Sequence, residues 1–230
     1  MALTCILTDI EGTTSAIAFV KETLFPFAQA ELDAFLDAHE EEPEVAAVMA
    51  EVREIAREQD PRSTLRMWMA EDAKVTPLKT LQGLIWQAGY RDGRLKGHVW
   101  PDVPPCLRAW SKAGLRLAVY SSGSVAAQKL IFGHSEAGDL TPLFTGFFDT
   151  RVGGKREATS YATIAAGLYL PAGDVLFLSD VAEELDAAAT AGVQTCQVVR
   201  VADGTEPTDR HAWEPDFQGV ARRFGLPVPG

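Results

Sequence analysis

Short apolar runs that alternate with helix-patterned stretches constrain this chain more than any other feature of its sequence. Five runs have strand character: Thr4–Thr8, Arg116–Tyr120, a weaker one at Gly146–Asp149, Val175–Leu178 and Thr195–Val199. Helical patterns lie between the later runs, at Val103–Ala113, Val125–Phe132, Thr159–Ala166 and Ala182–Ala191. Gly114 and Gly192 close the first and last of these, and Ser124 is placed to cap the second. Strands buried on both faces of a sheet read as unbroken apolar runs, and strand–helix alternation at this spacing predicts an α/β fold with a doubly wound parallel sheet.

The stretch from Ser15 to Val99 breaks the rhythm. It holds no convincing strand. Val45, Val48, Met49, Val52, Ile55 and Ala56 recur at three- and four-residue spacing and so share one helix face. Thr76-Pro77 reads as a helix start, with the Thr76 hydroxyl as cap and proline in the first helical position. Leu78, Leu81 and Ile85 continue one side of that helix, and Leu32, Phe35 and Leu36 mark an earlier one entered after Pro26. The expectation is an α/β core of residues 1–14 and 100–230, with a helical cap of residues 15–99 inserted directly after the first strand. The end of the chain reads as loop with one short helix near Phe217–Phe224.

At 230 residues, 47% hydrophobic and 23% charged, the chain has the make-up of an ordinary globular protein with one large domain or a core and an insert. No apolar stretch approaches the ~20 residues that cross a bilayer, and no basic region leads into a signal-type run. Cys5, Cys106 and Cys196 are odd in number and far apart, two of them in strands, so buried thiols in a reducing cytoplasm are expected. The formal net charge of −11 argues against nucleic acid or an anionic membrane as partner. An anionic substrate would need positive potential built locally, from a metal, a lysine or helix N-termini.

Four strand ends or their following loops carry chemistry. The first gives Asp9 and Glu11, the second Ser121-Ser122-Gly123-Ser124, the third Gly153-Gly154-Lys155, and the fourth Ser179-Asp180. A parallel sheet points all four to one edge, where open α/β folds place their sites. Singly, each has a structural explanation: a turn, a helix cap, a solvated lysine. Together they supply a carboxylate nucleophile, hydroxyls, a cation and a further acid, which is a set for phosphoryl transfer with a hard metal ion.

This order resembles the haloacid dehalogenase superfamily of hydrolases and, within it, the enolase-phosphatases of methionine salvage. The resemblance runs almost end to end. It is carried by Asp9-Ile10-Glu11-Gly12-Thr13-Thr14, Phe19-Val20-Lys21, Leu24-Phe25-Pro26, Tyr120-Ser121-Ser122-Gly123-Ser124-Val125, Ala127-Gln128-Lys129-Leu130, Phe132-Gly133-His134-Ser135 and Phe148-Asp149-Thr150. Leu81-Gln82-Gly83 and Trp86 add to it within the insert. Glutamate at position 11, where most of the superfamily has aspartate, points to this family in particular. Gly154, where histidine or proline is expected, Val201, where proline and glycine are common, and the compact insert between Glu40 and Lys74 depart from the pattern.

The resemblance implies conversion of 2,3-diketo-5-methylthiopentyl 1-phosphate to an acireductone and phosphate, by enolisation and then dephosphorylation. It implies Asp9 as nucleophile, Glu11 as acid–base group and first candidate for the enolising base, and Lys155 as a catalytic and phosphate-binding cation. Ser121 and Ser122 would bind the phosphate, and Asp9, Glu11 and Asp180 would hold magnesium. Glu11 would reach the metal by its side chain or its main-chain carbonyl. The insert would close over the substrate tail, with Phe19, Phe25 and Trp86 as possible contacts, although packing is the default for each. Lys79, Arg91 and Lys96 have a solvated face as their default. The implied partner is this small phosphorylated diketone, with no nucleic acid and no membrane, and a monomer is expected. A generic magnesium-dependent phosphatase would share the same acids and lysine. A receiver module, in which the acceptor acid lies on a middle strand, and a non-catalytic binding protein fit the sequence less well.

Overall fold

The computed structural model describes residues 3–229; residues 1, 2 and 230 of the expected core lie outside them. The chain divides into two compact units, residues 1–17 with 97–230, and residues 18–96.

The first unit is built on six parallel strands in the order β3-β2-β1-β4-β5-β6. They are β1 (Cys5–Thr8), β2 (Arg116–Tyr120), β3 (Gly146–Phe148), β4 (Val175–Ser179), β5 (Gln194–Val198) and β6 (Trp213–Glu214). All four residues of β1 and all five of β4 are buried, as expected for central strands covered on both faces. β1 pairs with β2 through Ile6 opposite Leu117 and with β4 through Ile6 opposite Leu176. The register therefore brings the carboxyl ends of β2, β1 and β4 level with one another. Helices Val103–Lys112, Val125–Gly133, Ala158–Gly167, Ala182–Thr190 and Phe217–Phe224 connect or flank the strands. Ser124 caps the second of these by accepting from the Ala127 amide at 3.2 Å. One core cluster joins Leu7, Tyr120, Phe177, Tyr161 and Leu185. β6 is not foreseen in the sequence: it is two residues long, at the sheet edge, and carries no apolar run. All three cysteines are buried free thiols, and burial pushes Cys5 up to about 11.

The second unit is helical. A short turn at Ile17–Phe19 and a π-turn at Val20–Leu24 lead into α1 (Phe25–His39), followed by α2 (Pro43–Ile55), α3 (Pro61–Ala70) and α4 (Thr76–Arg91). Leu32, Leu36, Val45, Met49, Val52, Leu65, Leu78, Leu81 and Ile85 form its core. Two expectations fail in detail. Ile55 is 56% exposed, because it is the last helical residue and the chain has already turned away from the packed face. Thr76 is not a side-chain cap: the helix begins one residue earlier than the pattern suggested, Val75 takes the cap position, and no side chain fills it. Trp86 donates its indole N–H to the Leu24 carbonyl at 2.8 Å and stacks on Phe25, so both rings have packing work within this unit. Lys79, Arg91 and Lys96 are exposed.

Candidate active site

Asp9 is the first residue beyond β1 and is 4% exposed. Its amide still donates to Leu178 O at 2.9 Å, so the sheet ladder extends to it and fixes its backbone. The chain then turns sharply, with the Thr13, Thr14 and Ser15 amides all reaching the Ile10 carbonyl. The Ile10 amide donates to Asp9 Oδ1 at 2.7 Å. Gly12 sits at φ +73°, and a Cβ there would overlap the Asp180 carboxylate. Glycine is therefore required twice over, by its backbone angle and by the close approach of an acid. Glu11, beside it, is exposed.

Lys155 is not a solvated lysine. Its side chain is 10% exposed, and Nζ lies 2.7 Å from Asp9 Oδ1 and 2.6 Å from Glu184 Oε2. Three hydroxyls anchor its loop: Tyr120 to Gly153 O, Ser160 to Gly154 O and Tyr161 to Lys155 O. Burial works against its charge, but Asp9 and Glu184 outweigh burial and hold the ammonium above its usual range. Glu184 was not foreseen. It lies in the first turn of Ala182–Thr190 and also accepts from Ser179 Oγ at 3.0 Å. Burial, with the Asp9 charge, raises its carboxyl above the usual range, while Lys155 opposes this. The sequence signal was an acid in a helix's first turn, which is ordinarily explained by the helix dipole alone.

Asp180 does not cap the following helix; Ser179 Oγ takes the Val181 amide instead. The Asp180 amide donates to Thr13 Oγ1 at 3.1 Å, and its carbonyl accepts from Gln197 Nε2 at 3.0 Å. Its Oδ1 is buried with no hydrogen-bond partner. Burial first, and the Asp9 charge second, push this carboxyl up to about 7.

Ser121 is buried at the end of β2, with its amide on Phe148 O and its Oγ accepting from Gly123. Gln128 pins the same loop through Gly123 O and Phe148 O. Ser122 is exposed. The structure thus joins Asp9, Lys155 and Glu184 directly and ties Asp180 to the Asp9 loop through Thr13. Ser121 and Ser122 lie at the neighbouring strand end.

Among the described residues no three Asp, Glu, His or Cys side chains gather as a metal-holding group. Two carboxylates with waters suffice for a hard divalent cation such as magnesium, which dehydrates reluctantly. The donor chemistry fits one. Asp180 offers a buried, unpartnered oxygen. Moreover, Asp9, Asp180 and Glu184 set three carboxylates against the single ammonium of Lys155. Such a surplus of negative charge repels a phosphate until a cation offsets it.

Residues 3–192 match the haloacid dehalogenase-like hydrolase family. The enolase-phosphatase E1 of Granulibacter bethesdensis is 57% identical over 225 residues, covering 97% of each chain. The crystal structure of the UTR4 protein of Saccharomyces cerevisiae superposes with a TM-score of 0.80 at 33% identity, covering 94% of this chain and 99% of that one. An L-2-haloacid dehalogenase, RSc1362, shares the fold at TM-score 0.57 and 16% identity, over 98% of this chain and all of the other. With its strand-end carboxylates, buried lysine and near full-length likeness, the chain belongs to the haloacid dehalogenase-like hydrolases and, within them, to the enolase-phosphatase E1 family.

Proposed function

We propose that this chain enolises 2,3-diketo-5-methylthiopentyl 1-phosphate and then removes its phosphate, giving the acireductone of methionine salvage. The observation that carries the site assignment is Lys155 Nζ, 2.7 Å from Asp9 Oδ1 at the carboxyl edge of the central strand. An ammonium there marks where phosphoryl charge is to be received.

In the enolase half, a base takes a proton from carbon 1 and water gives one to the carbonyl oxygen at carbon 2, which becomes a hydroxyl. Glu11 is assigned as the base: it stands on the strand-end loop two positions from Asp9, and its extra methylene gives it a longer reach than aspartate. In the phosphatase half, an Asp9 oxygen attacks phosphorus in line and the bond from phosphorus to the carbon 1 oxygen breaks. Glu11 protonates the departing oxygen, then takes a proton from the water that hydrolyses the aspartyl phosphate. Lys155 and the Ser121 hydroxyl bind phosphoryl oxygens, with Ser122 alongside. Glu184 keeps Lys155 aimed and charged throughout. Magnesium would be held by the Asp9 and Asp180 carboxylates and the Glu11 main-chain carbonyl, and when bound it offsets negative charge on the nucleophile and the phosphoryl group.

The test follows enol and inorganic phosphate separately with the diketone phosphate and magnesium. Both should form in sequence. Phosphate release from simple sugar phosphates at equal rates, with no enol intermediate, would leave a generic phosphatase. No phosphate at all would sink the assignment. Glu11→Gln should abolish enol formation as well as phosphate release; a normal enol rate would remove Glu11 as the enolising base.

A further inference from the structure

Arg200, two residues beyond β5, is buried and has no place in the chemistry above. All five of its guanidinium N–H donors are used. Nε and Nη2 both donate to the Thr13 carbonyl, at 3.1 and 2.9 Å. Nη1 and Nη2 form a fork on the two Asp102 oxygens at 2.8 and 3.0 Å, and Nη1 also reaches Pro215 O at 3.4 Å. The guanidinium carbon lies 5.4 Å from the Trp100 ring and 5.6 Å from the Phe217 ring. The Phe217 amide in turn donates to Asp102 Oδ2 at 2.8 Å.

The important partner is Thr13, which is fully buried. Its carbonyl takes two bonds from Arg200, while its hydroxyl accepts from the Asp180 amide. One residue therefore connects the arginine to an acid of the site, and Glu11 and Gly12 are the two residues before it in the turn. A lysine could neutralise Asp102 but has no planar fork for two acceptors at once. The geometry supports more than a buried ion pair, whose net contribution to stability is commonly small.

We infer that Arg200 is a positioning residue for phosphoryl transfer: acting through Thr13, it sets Asp180 and the Glu11-Gly12 turn in register with Asp9. This rests on the site reading above. Its test uses Arg200→Lys, Thr13→Val and the double variant of the full chain, with two readouts. The first is the affinity of the metal-free protein for Mn²⁺, followed by electron paramagnetic resonance without substrate. The second is kcat and KM for phosphate release. Each single variant should bind Mn²⁺ about tenfold more weakly, the effect typical of lost outer-shell partners. Each should lower kcat while KM moves by less than about threefold. Because the two residues act in series, the double variant should lose no more than the worse single one.

Multiplying losses in the double variant would overturn the inference, as would a lower melting temperature in Arg200→Lys with Mn²⁺ affinity and kcat unchanged. If Arg200→Lys does not fold, Thr13→Val alone decides: unchanged Mn²⁺ affinity rejects the route. Failure of the unmodified protein to bind Mn²⁺ would instead reject the metal-site reading on which the inference stands.

Discussion

At the residue scale, a buried carboxylate with an unpartnered oxygen carries an electrostatic cost that pH and metal should expose. The folded-state value of Asp180 is raised from 3.8 to about 7, so the folded protein holds this proton more tightly than the unfolded chain. Its contribution to stability is full below pH 4 and is lost as pH climbs towards 7, at no more than about 1.4 kcal/mol per pH unit. Urea midpoints of the metal-free protein at a series of pH values should show this slope, and Asp180→Asn should flatten it. Cation binding should release a proton below pH 7, measurable by calorimetry in buffers of different ionisation enthalpy. Asp9→Asn should cut phosphate release at least about a thousandfold in a steady-state assay, as loss of a covalent nucleophile does. Gly12→Ala should depress metal affinity, since its methyl group displaces Asp180. Asp9, Lys155 and Asp180 were legible in the sequence because each ends or follows an apolar run, and parallel strands send such residues to one edge. Glu184 and Arg200 were not. Their meaning comes from partners far along the chain, Lys155 for one and Thr13, 187 positions away, for the other.

At the scale of elements, hydrophobic period proved a better guide than end signals. The central strands and the helix at Phe217–Phe224 lie where apolar spacing predicts them, because burial enforces that spacing. Helix starts depend on which polar group wins one amide, and local sequence leaves that open. Asp60 shows the winning case, accepting from the Ser63 amide at 2.8 Å at the start of α3, while Thr76 caps nothing. Asp60→Ala should therefore lower the midpoint of a chemical melt, and Thr76→Ala should leave it where it is. Within the helical unit, Leu32 and Leu36 are wholly buried, and Leu32→Ala should cost about 2–5 kcal/mol by loss of packing and a residual cavity.

At the scale of the whole molecule, a chain of formal net charge −11 holds one buried ammonium among the carboxylates at the end of its central strand. Lys155 carries it, and its two acidic neighbours keep it protonated. Among the described residues no helix is long and apolar enough to cross a membrane. The two connections between the units have their own significance. The Trp100 amide donates to Thr14 O at 2.9 Å, and the Ala16 amide donates to His98 Nδ1 at 3.0 Å. The chain thus departs from the α/β unit and rejoins it at points one hydrogen bond apart. To the sheet, some eighty residues of helix are topologically no more than a surface loop, whose closure entropy grows only slowly with length. Replacing residues 18–96 with a few glycines and serines should leave a sheet protein that still melts cooperatively by circular dichroism. By the same token, the helical segment is a cassette that can be exchanged, lengthened or trimmed without re-registering a single strand.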